Sequence, residues 1–173
     1  MRTFDELEQL WSQSHTADVR RGTVHLLVAR LGEGQHAVPS RAELCVERGF
    51  VGDRWAQGAN KDPGRQLTLM NANVAALVCD GQPLHMPGDN ILVDLDLSES
   101  NAPVGARIRV GAALVEVTDK PHLGCKKFTA RFGEGAMHWV NEEAWRTRRL
   151  RGLNARIIEP AEVSVGDPVE LLG

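Results

Sequence analysis

Short apolar runs separated by glycine-rich turns dominate this chain. The 17 glycines, together with prolines and aspartates, break the sequence into seven to nine short strand-like segments. These segments do not alternate regularly with long helices, which argues against a doubly wound parallel sheet. We therefore predict a mostly β fold, a closed or partly open antiparallel β-barrel with a few short helices, because closure removes exposed strand edges.

The clearest local prediction is a hairpin in the second half of the chain. Residues 107–110 and 114–118 alternate apolar and polar side chains on either side of the turn that begins at Gly111. Further strands are predicted at 23–29, 38–46, 65–70, 90–95, 153–158 and 168–172. A turn at Gly166 and Asp167 separates the last two.

Three segments have helical patterns. Residues 4–13 place Phe4, Leu7, Leu10 and Trp11 on one face, and further helices are predicted at 71–79 and 136–150. We divide the chain into an N-terminal helical extension, residues 1–20, and a barrel domain, residues 21–173.

Composition argues against several function classes. The 173 residues carry a net charge of −3 with a pI near 6.1, and this balance does not suggest a nucleic-acid-binding protein. No apolar run approaches the roughly 20 residues that span a bilayer, and the acidic N-terminus does not resemble a signal peptide. We expect a cytoplasmic protein that binds neither nucleic acid nor membrane.

Cys125 is the strongest candidate for chemistry. Lys120, His122, Lys126 and Lys127 surround it in sequence, and cations near a thiol favour the reactive thiolate. Pro121 and Gly124 predict a loop, where reactive groups are often displayed, although a small buried cysteine is the alternative.

The other two cysteines fit structural positions. Cys45 falls in a predicted strand and Cys79 at the end of a predicted helix, and both are expected to be core or near-core residues. The odd number and wide spacing of the three cysteines imply no disulfide framework.

His122 and Cys125 form an H-x-x-C pair, which suggests a nucleophile and a base. We take both as candidate catalytic residues, although other histidines are open as partners. The same pair supplies two of the four ligands that a structural zinc site requires, and no second close pair is present.

Arginines in the loop that follows Gly52 suit an anionic ligand. Arg54 and Arg65 each offer a planar guanidinium that can bind a phosphate through two hydrogen bonds. The alternative for the first is that Asp53 and Arg54 hold each other in the turn. The basic run from Arg146 to Arg151 is interpreted as a solvated helix end.

The order of several motifs resembles the MOSC domain, named after the C-terminal domain of molybdenum cofactor sulfurases. The resemblance covers about residues 24–172. It depends on G-D-R at 52–54, R-Q-L-T at 65–68, P-G-D-N-I at 87–91, V-G at 104–105, I-x-V-G at 108–111, L-x-E-V-T at 114–118 and the single cysteine that follows.

The resemblance implies a barrel of the family's PK type and a role for Cys125, which would either ligate molybdenum or carry sulfur as a persulfide. A bound molybdenum cofactor, molybdopterin, is anionic. Arg54, Arg65, Lys120 and Lys126 would bind it, and Asn90, after a tight turn, would donate hydrogen bonds to the pterin.

Small stand-alone relatives reduce N-hydroxylated compounds with electron-transfer partners. The resemblance therefore implies a small-molecule substrate and either an electron-transfer protein or a cysteine desulfurase as partner, with the oligomeric state open. This chain departs from the family in having Gly124 where a proline often precedes the cysteine, and Lys120 near the position of a usual arginine.

Overall fold

A computed structural model describes residues 1–14, 18–59 and 61–173. Residues 15–17, inside the predicted N-terminal extension, lie outside this description. The strands in the described chain are β1 Arg21–Leu27, β2 Ala29–Gly32, β3 Gln35–Ala37, β4 Arg41–Cys45, β5 Gly49–Phe50, β6 Leu67–Asn71, β7 Ile91–Val93, β8 Arg107–Val110, β9 Ala113–Val117, β10 Leu153–Glu159, β11 Ala161–Ser164 and β12 Pro168–Leu171.

Seven of these strands, within the described residues, close into a barrel in the order β1-β12-β8-β9-β10-β6-β7. Neighbouring strands are antiparallel except β6 and β7, which pair in parallel. The predicted hairpin is present as β8 and β9, with Arg107 opposite Glu116. The prediction of a mostly antiparallel barrel is confirmed, and its closure leaves no free edge among these seven strands.

Two smaller sheets flank the barrel. β4 pairs with β5 and β11, and β2 pairs with β3 in a short hairpin whose turn includes Glu33. The predicted strand 38–46 therefore covers less of the chain than expected, because Val38 to Ser40 lie between β3 and β4 and β4 ends at Cys45.

The helices pack on one side of the barrel. In the described residues they are α1 Phe4–Gln13, α2 Ala72–Cys79 and α3 Lys126–Asn141, with 3-10 turns at Arg54–Gln57, Pro63–Arg65 and Glu143–Arg148. Thr3 and Glu6 form a capping box at the start of α1, where each satisfies an otherwise unpaired backbone N–H. Leu7 of α1 is fully buried with Phe132 and Trp139 of α3.

The helix predicted at 136–150 is present only in part, because α3 ends at Asn141 and residues 143–148 form a 3-10 turn. α3 begins ten residues earlier, at Lys126, and is interrupted at Gly133, whose φ of 84° lies in the left-handed region that glycine adopts readily. The start of this helix was not predicted because Lys126 and Lys127 begin it and Gly133 and Gly135 weaken its helical pattern. Its signal was Phe128 and Phe132, which are four residues apart and both buried.

The core has two parts. One fills the barrel interior, with Leu69, Ile91, Val115 and Ala155 fully buried, and the other lies between the barrel and the helices. Within the part of the chain that the structure describes, no helix combines the length and the apolar character needed to cross a membrane.

Candidate functional site

A surface cavity of ≈ 180 Å³ lies beside Cys125. It is bounded by the β2–β3 hairpin, the 3-10 turn at Arg54, the Pro87-Gly88 turn and the first turns of α3. Its lining consists of Arg30, Gly32, Gly34, Gln35, His36, Arg54, Pro87, Gly88, His122, Leu123, Cys125, Lys127, Phe128, Arg131 and Arg151. We call it the thiol cavity.

The thiol cavity has a strongly cationic lining. Five of its side chains are arginine or lysine, two are histidine, and none of its described lining residues is aspartate or glutamate. Arg54 and Lys127 make no ion pair among the described residues. Arg30 and Arg151 are each paired with a buried aspartate, so the net positive field that attracts anions comes from Arg54, Lys127 and Arg131.

Arg30 is held in place by a buried carboxylate. Asp53, 1% exposed, accepts hydrogen bonds from Arg30 Nε and Nη2, each at 2.8 Å, and from the backbone N–H of Arg30. Burial alone would raise the pKa of Asp53, but the hydrogen bonds and charge of Arg30 outweigh it and lower the pKa. The alternative in which Asp53 and Arg54 hold each other is not what the structure has, because Asp53 pairs with Arg30 and leaves Arg54 exposed at the cavity.

Asn90 does not line the thiol cavity. It is fully buried, and its amide nitrogen donates to Val28 O at 3.1 Å and to Asp53 Oδ2 at 3.0 Å. Its amide oxygen accepts from the backbone N–H and the hydroxyl of Thr68. Asn90, which was predicted to donate hydrogen bonds to a pterin, therefore makes its hydrogen bonds inside the fold. There it helps to fix Asp53, which in turn holds Arg30.

His122 belongs to a buried network. Its Nε2 lies 2.7 Å from Asp89 Oδ1, and the other carboxylate oxygen of Asp89 accepts from Arg151 Nη1 at 2.5 Å. Arg151 Nη2 also donates to the carbonyl of Pro87 at 3.2 Å. Asp89 is 1% exposed and Arg151 is 7% exposed, so neither pair is weakened by bulk water.

The network sets the protonation of His122. Burial and the neighbouring Arg151 lower the pKa of His122, and Asp89 only partly opposes them. Although burial opposes ionisation of Asp89, Arg151 and His122 hold the pKa of Asp89 far below its usual range. At neutral pH, Asp89 is therefore a carboxylate that accepts the Nε2–H of a neutral imidazole, which leaves Nδ1 as the unprotonated nitrogen.

Cys125 is exposed and immediately precedes α3. The residue before it is fixed by Asn141, whose side chain accepts from Gly124 N–H at 2.8 Å and donates to Gly124 O at 3.2 Å. A Cβ on Gly124 would lie 2.7 Å from Met137 Sδ and 3.2 Å from Val140 Cγ2, so a larger residue here would have to displace side chains of α3.

The predicted site residues divide by position. Cys125, His122 and Arg54 line the thiol cavity together, while Lys120 lines a neighbouring cavity. Lys126 is exposed on the first turn of α3, outside the lining.

Arg65 is likewise not part of the lining. It donates to the carbonyl of Pro121 at 3.2 Å and lies 3.6 Å from Asp62, so it supports the loop that leads to Cys125.

Sequence comparison decides the family. The sequence model of the MOSC domain matches residues 53–170, about two thirds of the chain. The chain belongs to the MOSC domain family. This domain is associated with proteins of molybdenum cofactor chemistry. A search of curated proteins found no match.

Solved structures share the MOSC fold seen here. A hypothetical protein has a TM-score of 0.64 at 24% identity, covering 88% of this chain and 69% of its own. The YUAD protein from Bacillus subtilis has a TM-score of 0.60 at 16% identity, with 87% and 95% covered. YiiM from Escherichia coli has a TM-score of 0.56 at 22% identity, with 87% and 70% covered. These likenesses show the fold.

Several residues of this MOSC domain's cavity were missed in the sequence. Arg30, His36, Arg131 and Arg151 line it, and of these only Arg151 falls in a segment that was interpreted, as a solvated helix end. Arg151 in particular is buried, not solvated. The available signal was the P-G-D turn at 87–89, because a buried aspartate needs a cationic partner.

The other cysteines of the domain differ from Cys125. Cys79 is buried, and burial raises the pKa of its thiol to about 11. Cys45 is half-buried and donates to Glu47 at 3.1 Å. Across the described residues, no three His, Cys, Asp or Glu side chains gather in a group that could hold a metal ion. A metal at Cys125 would therefore need its other ligands from outside these side chains.

Proposed function

We propose that the thiol cavity binds the anionic molybdenum cofactor and that Cys125 supplies a thiolate ligand to its molybdenum. The observation that supports this most is one exposed thiol in a cavity where Arg54 and Lys127 have no carboxylate partner among the described residues and where no lining residue is acidic. Thiolate is a soft ligand of the kind that sulfur-rich metal sites accept, and guanidinium groups suit the cofactor's phosphate.

The residues fit one end of such a cofactor. A cavity of ≈ 180 Å³ is smaller than the sites that enclose a whole drug-sized ligand, so part of the cofactor would lie over the exposed rim. Arg54 and Lys127, which have no carboxylate partner among the described residues, are the side chains available to the anionic group. When bound, the cofactor would supply two-electron redox chemistry.

The proposed reaction is the reduction of an N-hydroxylated compound to its amine and water, which consumes two electrons and two protons. The electrons would come from a separate electron-transfer protein, which the exposed position of Cys125 leaves free to approach. Neutral His122 can accept and release a proton at Nδ1 while Asp89 holds its other nitrogen.

A second function is favoured by the exposure of Cys125 and by the absence of a multi-residue metal group among the described residues. In this alternative, the Cys125 thiolate attacks the terminal sulfur of a persulfide on a cysteine desulfurase. A new S–S bond forms at Cys125, and the donor's thiolate leaves. The cationic cavity would then stabilise the anionic persulfide.

Elemental and cofactor analysis separates the two functions. The protein, produced in a host that makes the cofactor, should carry close to one molybdenum per chain, and Cys125→Ser should lose it. Arg54→Gln should lower the content while preserving the fold. Cys45→Ser, at a thiol outside the cavity, is the matched control and should retain the metal.

Mass spectrometry after incubation with a desulfurase and cysteine tests the alternative. One added sulfur on Cys125, without molybdenum in the purified protein, would favour the carrier function. Protein with neither molybdenum nor added sulfur would contradict both functions.

A further inference from the structure

A second cavity of ≈ 170 Å³ adjoins the thiol cavity. The two share His122, Leu123 and Arg151, while residues 118–121 line only the second and Cys125 only the first. The chain from 118 to 125 therefore passes from one cavity to the other. The remaining lining residues of the second are Glu99, Val104, Val140, Arg146, Arg149, Gly152 and Leu153. We call it the side cavity.

The charges of the side cavity leave one positive charge in excess. Arg151 is neutralised by Asp89, which leaves Lys120, Arg146 and Arg149 against the carboxylates of Glu99 and Asp119. None of these three cations forms an ion pair with a described residue. This balance fits a ligand with a single negative charge.

Arg149, which lines this cavity and another one beside Trp11, has an uncommon backbone conformation. Its φ of 49° and ψ of 46° place it in the left-handed region, which costs a non-glycine residue conformational energy. Its Nη1 donates to the carbonyl of Ala102, and burial lowers the pKa of its guanidinium, with Glu99 opposing. The fold thus keeps a partly desolvated cation at the cavity wall without a paired carboxylate.

Arg151 lies between the two cavities. Its Nε is buried and has no hydrogen-bond partner in the described structure, although the side chain is 7% exposed and lines both cavities. Buried polar groups are nearly always paired, and an orphaned N–H donor costs free energy. The other guanidinium nitrogens are held by Asp89 and by the carbonyl of Pro87, so Arg151 shapes the wall between the two cavities and is not among the side chains that receive a ligand.

The rest of the wall is apolar. Val104, Pro121, Leu123, Val140 and Leu153 line the side cavity, and two of them, Val104 and Leu123, are 54% and 41% exposed. Large exposed side chains of this kind at a cavity suit an apolar ligand body. The volume is close to that of a cavity of about 150 Å³ known to hold a benzene ring.

From these observations we infer that the side cavity binds a small monocarboxylate with an apolar body of about the size of benzoate. Lys120, Arg146 and Arg149 receive the carboxylate, and the apolar wall receives the body. A phosphate ester of similar body size would carry more charge than the cavity balances. The inference is separate from the proposed function, because it requires neither Cys125 nor any occupant of the thiol cavity.

Isothermal titration calorimetry of the full chain with sodium benzoate tests this inference. Wild type should bind with a Kd of about 1 mM or tighter, and Arg146→Gln should weaken binding about tenfold, the loss typical of one charge-assisted hydrogen bond. Lys120→Gln should do the same, which guards against a folding defect in either variant. Benzamide, neutral and of the same shape, should bind about tenfold more weakly.

Arg54→Gln is the matched control, since it removes an exposed arginine from the thiol cavity alone. It and Cys125→Ser should bind benzoate as wild type does. No heat of binding up to about 10 mM benzoate would overturn the inference. So would equal affinity for benzamide, or a loss of binding in Arg54→Gln with none in Arg146→Gln, which would place the anion in the thiol cavity.

Discussion

The side chain of Asn141 binds both backbone groups of Gly124: it accepts from the N–H at 2.8 Å and donates to the carbonyl at 3.2 Å. The end of α3 thereby fixes the chain immediately before Cys125, although 17 residues separate the two partners. The thiol at the start of the helix is thus positioned by a side chain at its other end.

Gly124→Pro is expected to destabilise this protein. Proline removes the N–H that Asn141 accepts from, and its side chain would meet Met137 Sδ. We expect a loss of about 1–3 kcal/mol in the free energy of unfolding, measured by urea denaturation. In an Asn141→Ala background the same change should cost less. An equal loss of unfolding free energy in both backgrounds would show that the Asn141–Gly124 hydrogen bonds are not the cause.

Asp89→Asn should destabilise the fold strongly, because it leaves Arg151 buried without a compensating charge. A loss of about 3–5 kcal/mol is expected from breaking one side of a buried pair. The same change at exposed Asp5 should stay within about 0.5 kcal/mol. Urea unfolding at pH 7 measures both, and similar values for the two variants would contradict the buried network.

Asp89 should also contribute to acid unfolding. Its pKa is lower in the folded state than in the unfolded chain, so its contribution is complete above the unfolded value of about 3.9 and declines as pH falls below it. The free energy of unfolding of wild type should therefore drop below about pH 4 more steeply than that of Asp89→Asn. Parallel curves for the two proteins would contradict this linkage.

His122 should titrate below the usual histidine range of about 6.5. Burial and Arg151 lower the pKa of His122, so the ring stays neutral at pH 7. The unfolded chain binds a proton at this histidine below about pH 6.5 and the folded protein does not, so the free energy of unfolding decreases as the pH falls through that value. NMR of the imidazole resonances measures the pKa directly. Asp89→Asn should lower it further, because Asp89 favours the charged ring. An increase would contradict the assigned network.

Native alkylation should distinguish the cysteines. Iodoacetamide at pH 7.5 should modify exposed Cys125 and spare Cys79, whose buried thiol has a pKa of about 11. Mass spectrometry of digested protein locates the label, and Cys125→Ser should remove most of the native modification. Labelling of Cys79 in urea provides the control for reagent access. Rapid native labelling of Cys79 would contradict its burial.

Local sequence predicted the barrel better than it predicted the helices. The hairpin at β8 and β9 could be predicted because alternation and a glycine turn are short-range signals. α3 was misplaced because Gly133 and Gly135 weaken a helical pattern, and only packing of Phe128, Phe132 and Trp139 against α1 and the barrel stabilises it. The parallel pairing of β6 with β7 has no local signal, since α2 and a loop separate the strands.

The sequence by itself determined a glycine-punctuated barrel, a family, and one thiol among cations. Only the tertiary structure decided which cations share a cavity with that thiol. Arg30 and Arg151 lie 95 and 26 residues from Cys125 in sequence, and each is fixed by a buried aspartate, Asp53 or Asp89. The physical reason is that a buried carboxylate must find a cation wherever the fold brings one, and that partner is set by packing, not by spacing along the chain.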